Sequence, residues 1–240
     1  MTMPVPASEL SVVVPCCNEE ASVARFSSEL YPALDALGVS YEVVAVDYGS
    51  TDGTRQALAS LAREKPLTLV VHETNRGLGA ALRSGFAAAR GEWVAALDAD
   101  LTFAPADVAR LLARQRETGA DLVGGSPFLD RACAAAVPLV RRLPSALLNA
   151  FYRGLISTKL TAYTPMFRLY RRAALSKLDL KSEGFEISAE IAARFVRRGL
   201  KVAEVPAALT TRRAGASKLR RWRELKRHAA LILRLITRPA

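Results

Sequence analysis

The fold of this chain is constrained most by a regular alternation between short, mostly apolar runs and longer segments with helical spacing. The first four runs lie at residues 10–14, 41–46, 67–71 and 93–97. Runs of this kind indicate strands that are covered by helices on both faces. Repeated strand–helix units of this length predict parallel strands joined by right-handed crossovers. We therefore expect an α/β fold with a mostly parallel sheet and helices on both of its faces.

The segments between the runs predict the helices. After the first run, apolar residues recur at intervals of three and four, at Val23, Phe26, Leu30, Leu34 and Leu37. This spacing predicts one helix that begins at Asn18 or Glu19 and ends at Gly38. Further helices are expected at residues 54–63, 77–90 and 187–198, after Pro105 and around 147–152, with strands at 121–123, 167–170 and 200–205.

Two carboxylates, Asp98 and Asp100, follow the fourth run with one small residue between them. Ligands of open α/β sheets bind at the carboxyl ends of the strands. Carboxylate oxygens are suitable ligands for a divalent cation, which in turn binds the phosphates of a nucleotide. The simpler interpretation is that both acids cap the next helix, and the pair alone does not decide between the two.

Polar segments also follow the first and second runs, at residues 15–20 and 47–54. If these strands are parallel neighbours, both segments lie beside Asp98 and Asp100 at one edge of the sheet. A nucleotide lying across that edge would find hydrogen-bond acceptors for its base and ribose. The alternative is that Asn18, Ser50 and Asp52 serve only as helix caps.

Charge is concentrated at the end of the chain. Residues 212–238 contain ten Lys and Arg and one acid, which accounts for +9 of the net charge of +11. Such a segment favours phosphorylated ligands or anionic lipid. Aromatic residues are too few there for a single-strand stacking platform, so we expect no nucleic-acid partner.

The same segment has amphipathic spacing. Leu219, Trp222, Leu225, Ala229, Ile232 and Ile236 recur at intervals of three and four. A basic helix with these residues on one face is typical of helices that lie in a membrane interface. The alternative is that this apolar face packs on the protein's own core. Two adjacent cysteines in a set of three, together with the lack of a signal-peptide or membrane-span pattern, favour a cytoplasmic protein.

Four motifs, taken together, resemble one family. They read VVVPCCNE at 12–19, VDYGSTDGT at 46–54, NRGLGAA at 75–81 and DADL at 98–101. They are similar to the family 2 glycosyltransferases, in the dolichyl-phosphate (polyprenyl-phosphate) mannosyltransferase branch. Segments 167–172, 204–206 and 212–218 agree, so the resemblance covers roughly residues 10–220.

This resemblance implies a GT-A (Rossmann-like) domain over residues 1–210, followed by a basic loop and amphipathic helix over 211–240. It implies an inverting transfer of a hexose, mannose or glucose, from a GDP- or UDP-linked sugar. The acceptor would be a polyprenyl or dolichyl phosphate, the cofactor Mg²⁺ or Mn²⁺, and the location the cytoplasmic face of a membrane.

The resemblance also implies residue roles. The nucleotide would be bound by Pro15, Cys17, Asn18, Glu19, Asp47 and Asp98. Asp98 and Asp100 would bind the metal and act with Arg142 in catalysis. The diphosphate and the acceptor phosphate would be bound by Arg142, Arg168, Arg212, Ser217 and Lys218.

The chemistry is consistent with these residue types. Negative charge grows on the leaving nucleoside diphosphate in the transition state, and a divalent cation and nearby arginines stabilise it. A phosphate acceptor is already ionised, so no general base is required. An enzyme of this type would need positive charge that holds two anions in line.

The chain departs from the family pattern at Cys17, Tyr48, Thr102, Pro127, Ala162 and Met166. These departures leave donor and sugar open. They also leave a second hypothesis open, in which the chain is a catalytically silent relative that binds a nucleotide or a membrane. A dinucleotide oxidoreductase is disfavoured, because Leu82 replaces the third glycine of the G-x-G-x-x-G fingerprint.

Overall fold

The computed structural model describes residues 8–135, 139–209 and 221–237, with the backbone alone for residues 139–144 and 221. Seven strands lie in these ranges. They are β1 (Leu10–Cys16), β2 (Tyr41–Tyr48), β3 (Leu67–His72), β4 (Trp93–Ala96), β5 (Leu122–Ser126), β6 (Arg168–Arg171) and β7 (Val202–Pro206).

All seven strands belong to one sheet, in the order β3-β2-β1-β4-β6-β5-β7. β1, β2, β3 and β4 are parallel to one another, as are β5 and β7. β6 is inserted between β4 and β5 and is antiparallel to both. The expectation of a mostly parallel sheet is therefore confirmed.

Helices fill the connections between strands. They are α1 (Glu20–Val23), α2 (Tyr31–Asp35), α3 (Thr54–Leu61), α4 (Leu78–Ala88), α5 (Val108–Thr118), α6 (Arg131–Ala135), α7 (Leu139–Leu155), α8 (Arg172–Leu175), α9 (Ile187–Arg197) and α10 (Arg221–Thr237). A 3₁₀ turn at Pro105–Asp107 precedes α5. None of the helices in these ranges is long and apolar enough to cross a membrane.

Two apolar clusters cover the two faces of the sheet, as the apolar runs predict. Val12 and Val14 of β1 pack with residues of α1, α2, α3 and α5 on one face. Val13 packs with residues of α4, α7, α9 and α10 on the other. Because β1 is buried on both faces, nearly all of its residues are apolar.

The prediction of one continuous helix over residues 18–38 is wrong, because the segment is interrupted. α1 and α2 are separated by a π-helical turn, Phe26–Leu30, and Pro32 lies in the first turn of α2. Proline lacks a backbone N–H and its ring clashes with the carbonyl four residues earlier, so a regular helix cannot continue through it. The predicted inward positions Phe26, Leu30 and Leu34 are nevertheless fully buried.

For α10, the alternative that the Trp222 face packs on the protein's own core is wrong. The docked side carries Glu224, His228, Leu231 and Leu235, which are 1–7% exposed. The expected apolar face is outward, with Trp222 80% and Leu225 55% exposed. Two polar residues on the docked stripe concealed it from a search for apolar periodicity.

Candidate active site

The carboxyl ends of β1, β2 and β4 meet at one edge of the sheet, because these strands are parallel neighbours. The first two loops there are joined by their side chains. The backbone N–H of Asn18 donates to Oγ of Ser50 at 2.9 Å, and Oδ1 of Asn18 accepts the backbone N–H of Thr51 at 2.7 Å. Asn18 has a φ of 50°, in the left-handed region that asparagine tolerates better than most residues.

Glu19 and Asp52 extend this connection. The backbone N–H of Glu19 donates to Oγ1 of Thr54 at 2.8 Å, and Oε2 of Glu19 accepts the hydroxyl of Ser22 at 2.8 Å. Asp52 accepts the backbone N–H of Thr54 at 3.0 Å, at the start of α3. The N-cap of α3 is Gly53, so Asp52 contacts the first residue of the helix from one position before the cap, whereas Asn18 joins the loops.

Asp98 and Asp100 lie on a tight turn beyond β4. The N–H of Leu101 donates to the carbonyl of Asp98 at 3.0 Å, and Leu101 has a φ of 54°. Oδ1 of Asp100 accepts the N–H of Thr102 at 3.1 Å. The alternative that these acids cap the next helix is wrong, since the helical turn starting at Pro105 has no side-chain cap.

This pair of acids suits a cation that is shared with a phosphorylated ligand. Both residues are partly exposed at the sheet edge. Within the described ranges, no group of three or more His, Cys, Asp or Glu forms a complete metal site. Mg²⁺ is typically bound by one or two carboxylates, substrate phosphates and water, and a two-carboxylate donor set fits that pattern.

Asp47 lies below the edge. Its side chain is fully buried, Oδ1 accepts the N–H of Ser50 at 3.0 Å, and Oδ2 accepts Nε–H of Arg55 at 2.9 Å. These contacts hold the turn after β2 from beneath. Each carboxylate oxygen of Asp47 thus already accepts one hydrogen bond from the protein.

Pro15 lies near the end of β1, and Cys17 follows that strand. β1 continues through Pro15 to Cys16, beyond the last residue paired with β4. A proline fits there because one side of the strand is already unpaired. Sγ of Cys17 accepts a weak hydrogen bond from Nδ2 of Asn75 at 3.5 Å, so the loop before α4 reaches the same edge.

Sequence reasoning missed the contributions of Tyr48 and Arg25. Burial raises the pKa of Tyr48, and nearby Cys17, Cys16, Glu19 and Asp98 raise it further, so its hydroxyl stays protonated among acidic groups. The position of Tyr48 at the end of β2 was a usable signal. Arg25 donates to the carbonyl of Asp100 at 3.4 Å, a contact between residues too distant in sequence to predict.

The remaining predicted residues are placed differently or not described. Arg168 is 1% exposed, and its guanidinium donates to the carbonyls of Ser188 and Ala162. These contacts favour a structural role for Arg168 rather than contact with a phosphate. The side chain of Arg142 lies outside the described atoms. Arg212, Ser217 and Lys218 lie outside the described residues.

Comparison with known proteins identifies the family. The profile described as "Glycosyl transferase family 2" matches residues 11–179, which include all three loops at the edge. The chain belongs to glycosyltransferase family 2. The resemblance seen in its motifs is thereby confirmed.

Two curated relatives of this family 2 glycosyltransferase act on polyprenyl phosphates by name. It is 32% identical over 222 residues to the polyprenol monophosphomannose synthase of Mycolicibacterium smegmatis, covering 89% of the chain and 82% of that protein. The chain is also 32% identical over 238 residues to the undecaprenyl-phosphate 4-deoxy-4-formamido-L-arabinose transferase of Pseudomonas fluorescens. This match covers 98% of the chain and 67% of that protein.

The fold is that of solved glycosyltransferases. The glucosyl-3-phosphoglycerate synthase of Mycobacterium tuberculosis, crystallised with Mn²⁺, UDP and glucosyl-3-phosphoglycerate, matches with a TM-score of 0.66 and 23% identity. The match covers 97% of the chain and 80% of that structure. This likeness confirms the expected GT-A fold.

Proposed function

We propose that this family 2 glycosyltransferase transfers a hexose, mannose or glucose, from a GDP- or UDP-linked donor to a polyprenyl or dolichyl phosphate, with inversion at the sugar. One observation carries the proposal. The turn bearing Asp98 and Asp100 lies beside the joined loops of Asn18 and Ser50 at a single edge of the sheet. The two polyprenyl-phosphate relatives support the choice of acceptor.

The donor would be bound across that edge. Pro15, Cys17, Asn18, Glu19 and Asp47 are assigned to the nucleotide, with Asp47 acting from beneath the turn. Asp98 and Asp100 would hold Mg²⁺ or Mn²⁺, which supplies positive charge for the leaving diphosphate when bound. The protonated hydroxyl of Tyr48 adds a hydrogen-bond donor among these acids.

The acceptor needs orientation and charge neutralisation rather than a base, because its phosphate oxygen is already an anion. We assign Arg142, Arg212, Ser217 and Lys218 to the two phosphates. We leave Arg168 out of this set, because its guanidinium is bonded to two backbone carbonyls. Holding the anionic nucleophile in line with the donor would supply much of the rate enhancement.

A lipid acceptor requires a membrane-facing surface, and α10 supplies candidate contacts. Trp222, Leu225, Leu233 and Ile236 are 55–80% exposed, beside the basic residues Arg223 and Lys226. Leu147 and Phe151 of α7 are also exposed, at 78% and 54%. We propose that these residues place the protein peripherally on the cytoplasmic face of the membrane.

The test is a panel of GDP- and UDP-sugars with polyprenyl phosphate and Mn²⁺, followed by mass analysis of the lipid. A glycosylated lipid phosphate formed from one donor is the expected result. If the protein binds the nucleotides but transfers sugar from none of the donors, to lipid or to water, the result would instead support the catalytically silent relative. Transfer to a water-soluble acceptor alone would overturn the lipid assignment.

A further inference from the structure

The loop formed by residues 182–186, between α8 and α9, contacts the start of α4. The N–H of Gly79 donates to the carbonyl of Glu183 at 2.7 Å, and the guanidinium of Arg83 donates to the carbonyl of Ser182. The approach is close enough to require glycine. A Cβ on Gly79 would lie 2.1 Å from the carbonyl oxygen of Ser182, and one on Gly77 would lie 2.3 Å from that of Glu183.

The other side of the 182–186 loop contacts the docked face of α10. Oε2 of Glu224, a residue 5% exposed, accepts the N–H of Phe185 at 3.2 Å. A second contact joins Nη2 of Arg234 to Oγ of Ser182 at 3.2 Å. Glu224 also pairs with Arg227 at 3.2 Å. The C-terminal helix is thus bonded to the same loop that contacts α4.

Internal hydrogen bonds brace the loop between these two contacts. Glu190 accepts the N–H groups of Lys181 and Ser182, with the Ser182 bond at 2.8 Å. Glu186 accepts those of Glu183 and Gly184, each at 3.1 Å. Because its backbone is bonded in this way, we expect the loop to transmit a shift from one of the two contacts to the other.

The start of α4 is in turn connected to the proposed donor site. Oδ1 of Asn75 accepts the N–H of Gly77 at 2.9 Å, and Nδ2 of Asn75 reaches Sγ of Cys17. The backbone of Asn75 also lies against Gly49, where a Cβ would be 2.5 Å from the Asn75 nitrogen. Contacts therefore run without a gap from α10 to the loops after β1 and β2.

We propose that Glu224 is a positioning residue for the donor site. By holding the 182–186 loop against α4, it fixes Asn75 beside Cys17 and Gly49, and so sets the shape of the nucleotide pocket from a helix that never enters it. This inference rests on the proposed donor site. It assigns a role in donor binding to the docked face of α10, separate from any membrane contact of its outer face.

The test compares Glu224→Ala with the unmodified protein, without lipid. Nucleotide affinity is measured by calorimetry with UDP and GDP in the presence of Mn²⁺, and amide hydrogen exchange is followed at Gly77 and Gly79. We expect nucleotide binding about three- to tenfold weaker, which lies within the roughly two- to thirtyfold range for residues along a coupled network, and faster exchange at both glycines. In turnover, the donor KM should rise while kcat changes little.

Matched variants separate positioning from loss of folding. Glu224→Gln keeps an acceptor for the Phe185 N–H and should restore near-normal affinity. Asp179→Ala removes an exposed carboxylate that lies outside the 182–186 loop, so it should have no effect. Arg234→Ala, which loses the contact with Ser182, should weaken nucleotide binding in the same direction as Glu224→Ala.

The outcomes distinguish this inference from the proposed function. Equal nucleotide affinity and equal exchange in Glu224→Ala and the unmodified protein would overturn the positioning role. If Glu224→Gln binds the nucleotide as weakly as Glu224→Ala, the positioning role is overturned too, because the hydrogen bond from the Phe185 N–H would then not matter. Failure of the unmodified protein to bind either nucleotide would instead overturn the proposed donor site.

Discussion

The hydroxyl oxygen of Tyr152 lies 2.8 Å from Nδ1 of His228, joining α7 to α10 inside the core. Tyr152 is fully buried and His228 is 7% exposed. Tyr152 also stacks on Tyr163, with ring centroids 5.6 Å apart. Burial lowers the pKa of His228, although nearby Glu186 opposes the shift. A neutral imidazole is therefore part of how the C-terminal helix is attached.

This attachment should weaken in mild acid. An unfolded histidine binds a proton near pH 6.5, whereas folded His228 binds one only at lower pH. The unfolded state therefore takes up more protons as the pH falls through about 6.5, and the free energy of unfolding falls with it. We expect urea unfolding to show lower stability at pH 5.5 than at pH 7.5.

The control for this pH effect is His228→Gln, which keeps hydrogen-bonding groups but does not titrate. Comparing both proteins at the same two pH values cancels most contributions from other groups, including His72, whose pKa burial also lowers. The pH-dependent loss should be smaller in His228→Gln. An identical loss in the two proteins would contradict the assignment.

The second prediction concerns the acids beyond β4. Asp98→Asn and Asp100→Asn should each lower kcat/KM by roughly a hundredfold or more, because charge stabilisation at the leaving diphosphate is lost. EDTA should abolish activity of the unmodified protein, and added Mn²⁺ should restore it. Asp179→Asn removes an exposed acid that pairs with Lys181 at 2.8 Å, and should retain activity. Full activity of both site variants in the transfer assay would remove the metal role.

The third prediction uses two glycines with left-handed backbones. Gly38 has a φ of +66° and open space where a Cβ would lie, whereas Gly49 has a φ of +89° and a Cβ there would lie 2.5 Å from the nitrogen of Asn75. Gly38→Ala should cost only the backbone strain, about 1 kcal/mol. Gly49→Ala adds a backbone clash and should cost about 3 kcal/mol or more.

Chemical denaturation of both glycine variants checks the difference. Gly49→Ala should also weaken nucleotide binding, because Asn75 and the turn after β2 must separate. Gly38→Ala should bind as the unmodified protein does. Equal destabilisation by the two substitutions would mean that the contact between Gly49 and Asn75 is not close in solution.

Local patterns were enough to predict the sheet edge. Strands β1, β2 and β4 are mostly apolar runs with polar residues at their carboxyl ends, and parallel pairing follows from the helices between them. The insertion of antiparallel β6 between β4 and β5 was not predictable, because it depends on pairing between segments far apart in sequence. The contact of Arg25 with the Asp100 carbonyl was hidden for the same reason.

The docked face of α10 was missed for a different physical reason. Its sequence contains two stripes at helical spacing, and the more apolar one, with Trp222 and Leu225, is exposed. The docked stripe includes Glu224 and His228, whose burial is offset by bonds to Phe185 and Tyr152. Hydrogen-bond partners on other elements decide such a choice, and a single helix sequence does not contain them.

The exposed stripe of α10 gives the last prediction. Trp222→Glu combined with Leu225→Glu should lower binding to anionic lipid vesicles by about tenfold or more, because two apolar anchors are lost and two charges oppose the lipid. Sedimentation with vesicles measures this, and binding of the unmodified protein should fall in high salt. Val71→Glu, at a partly exposed position on β3, is the control and should bind vesicles normally.

Because Trp222 and Leu225 lie away from the docked face, the double variant should keep its folding and its nucleotide affinity. Transfer to a short soluble acceptor should persist, while transfer to vesicle-borne lipid falls. Unchanged vesicle binding by the double variant would exclude this face of α10 as the membrane contact.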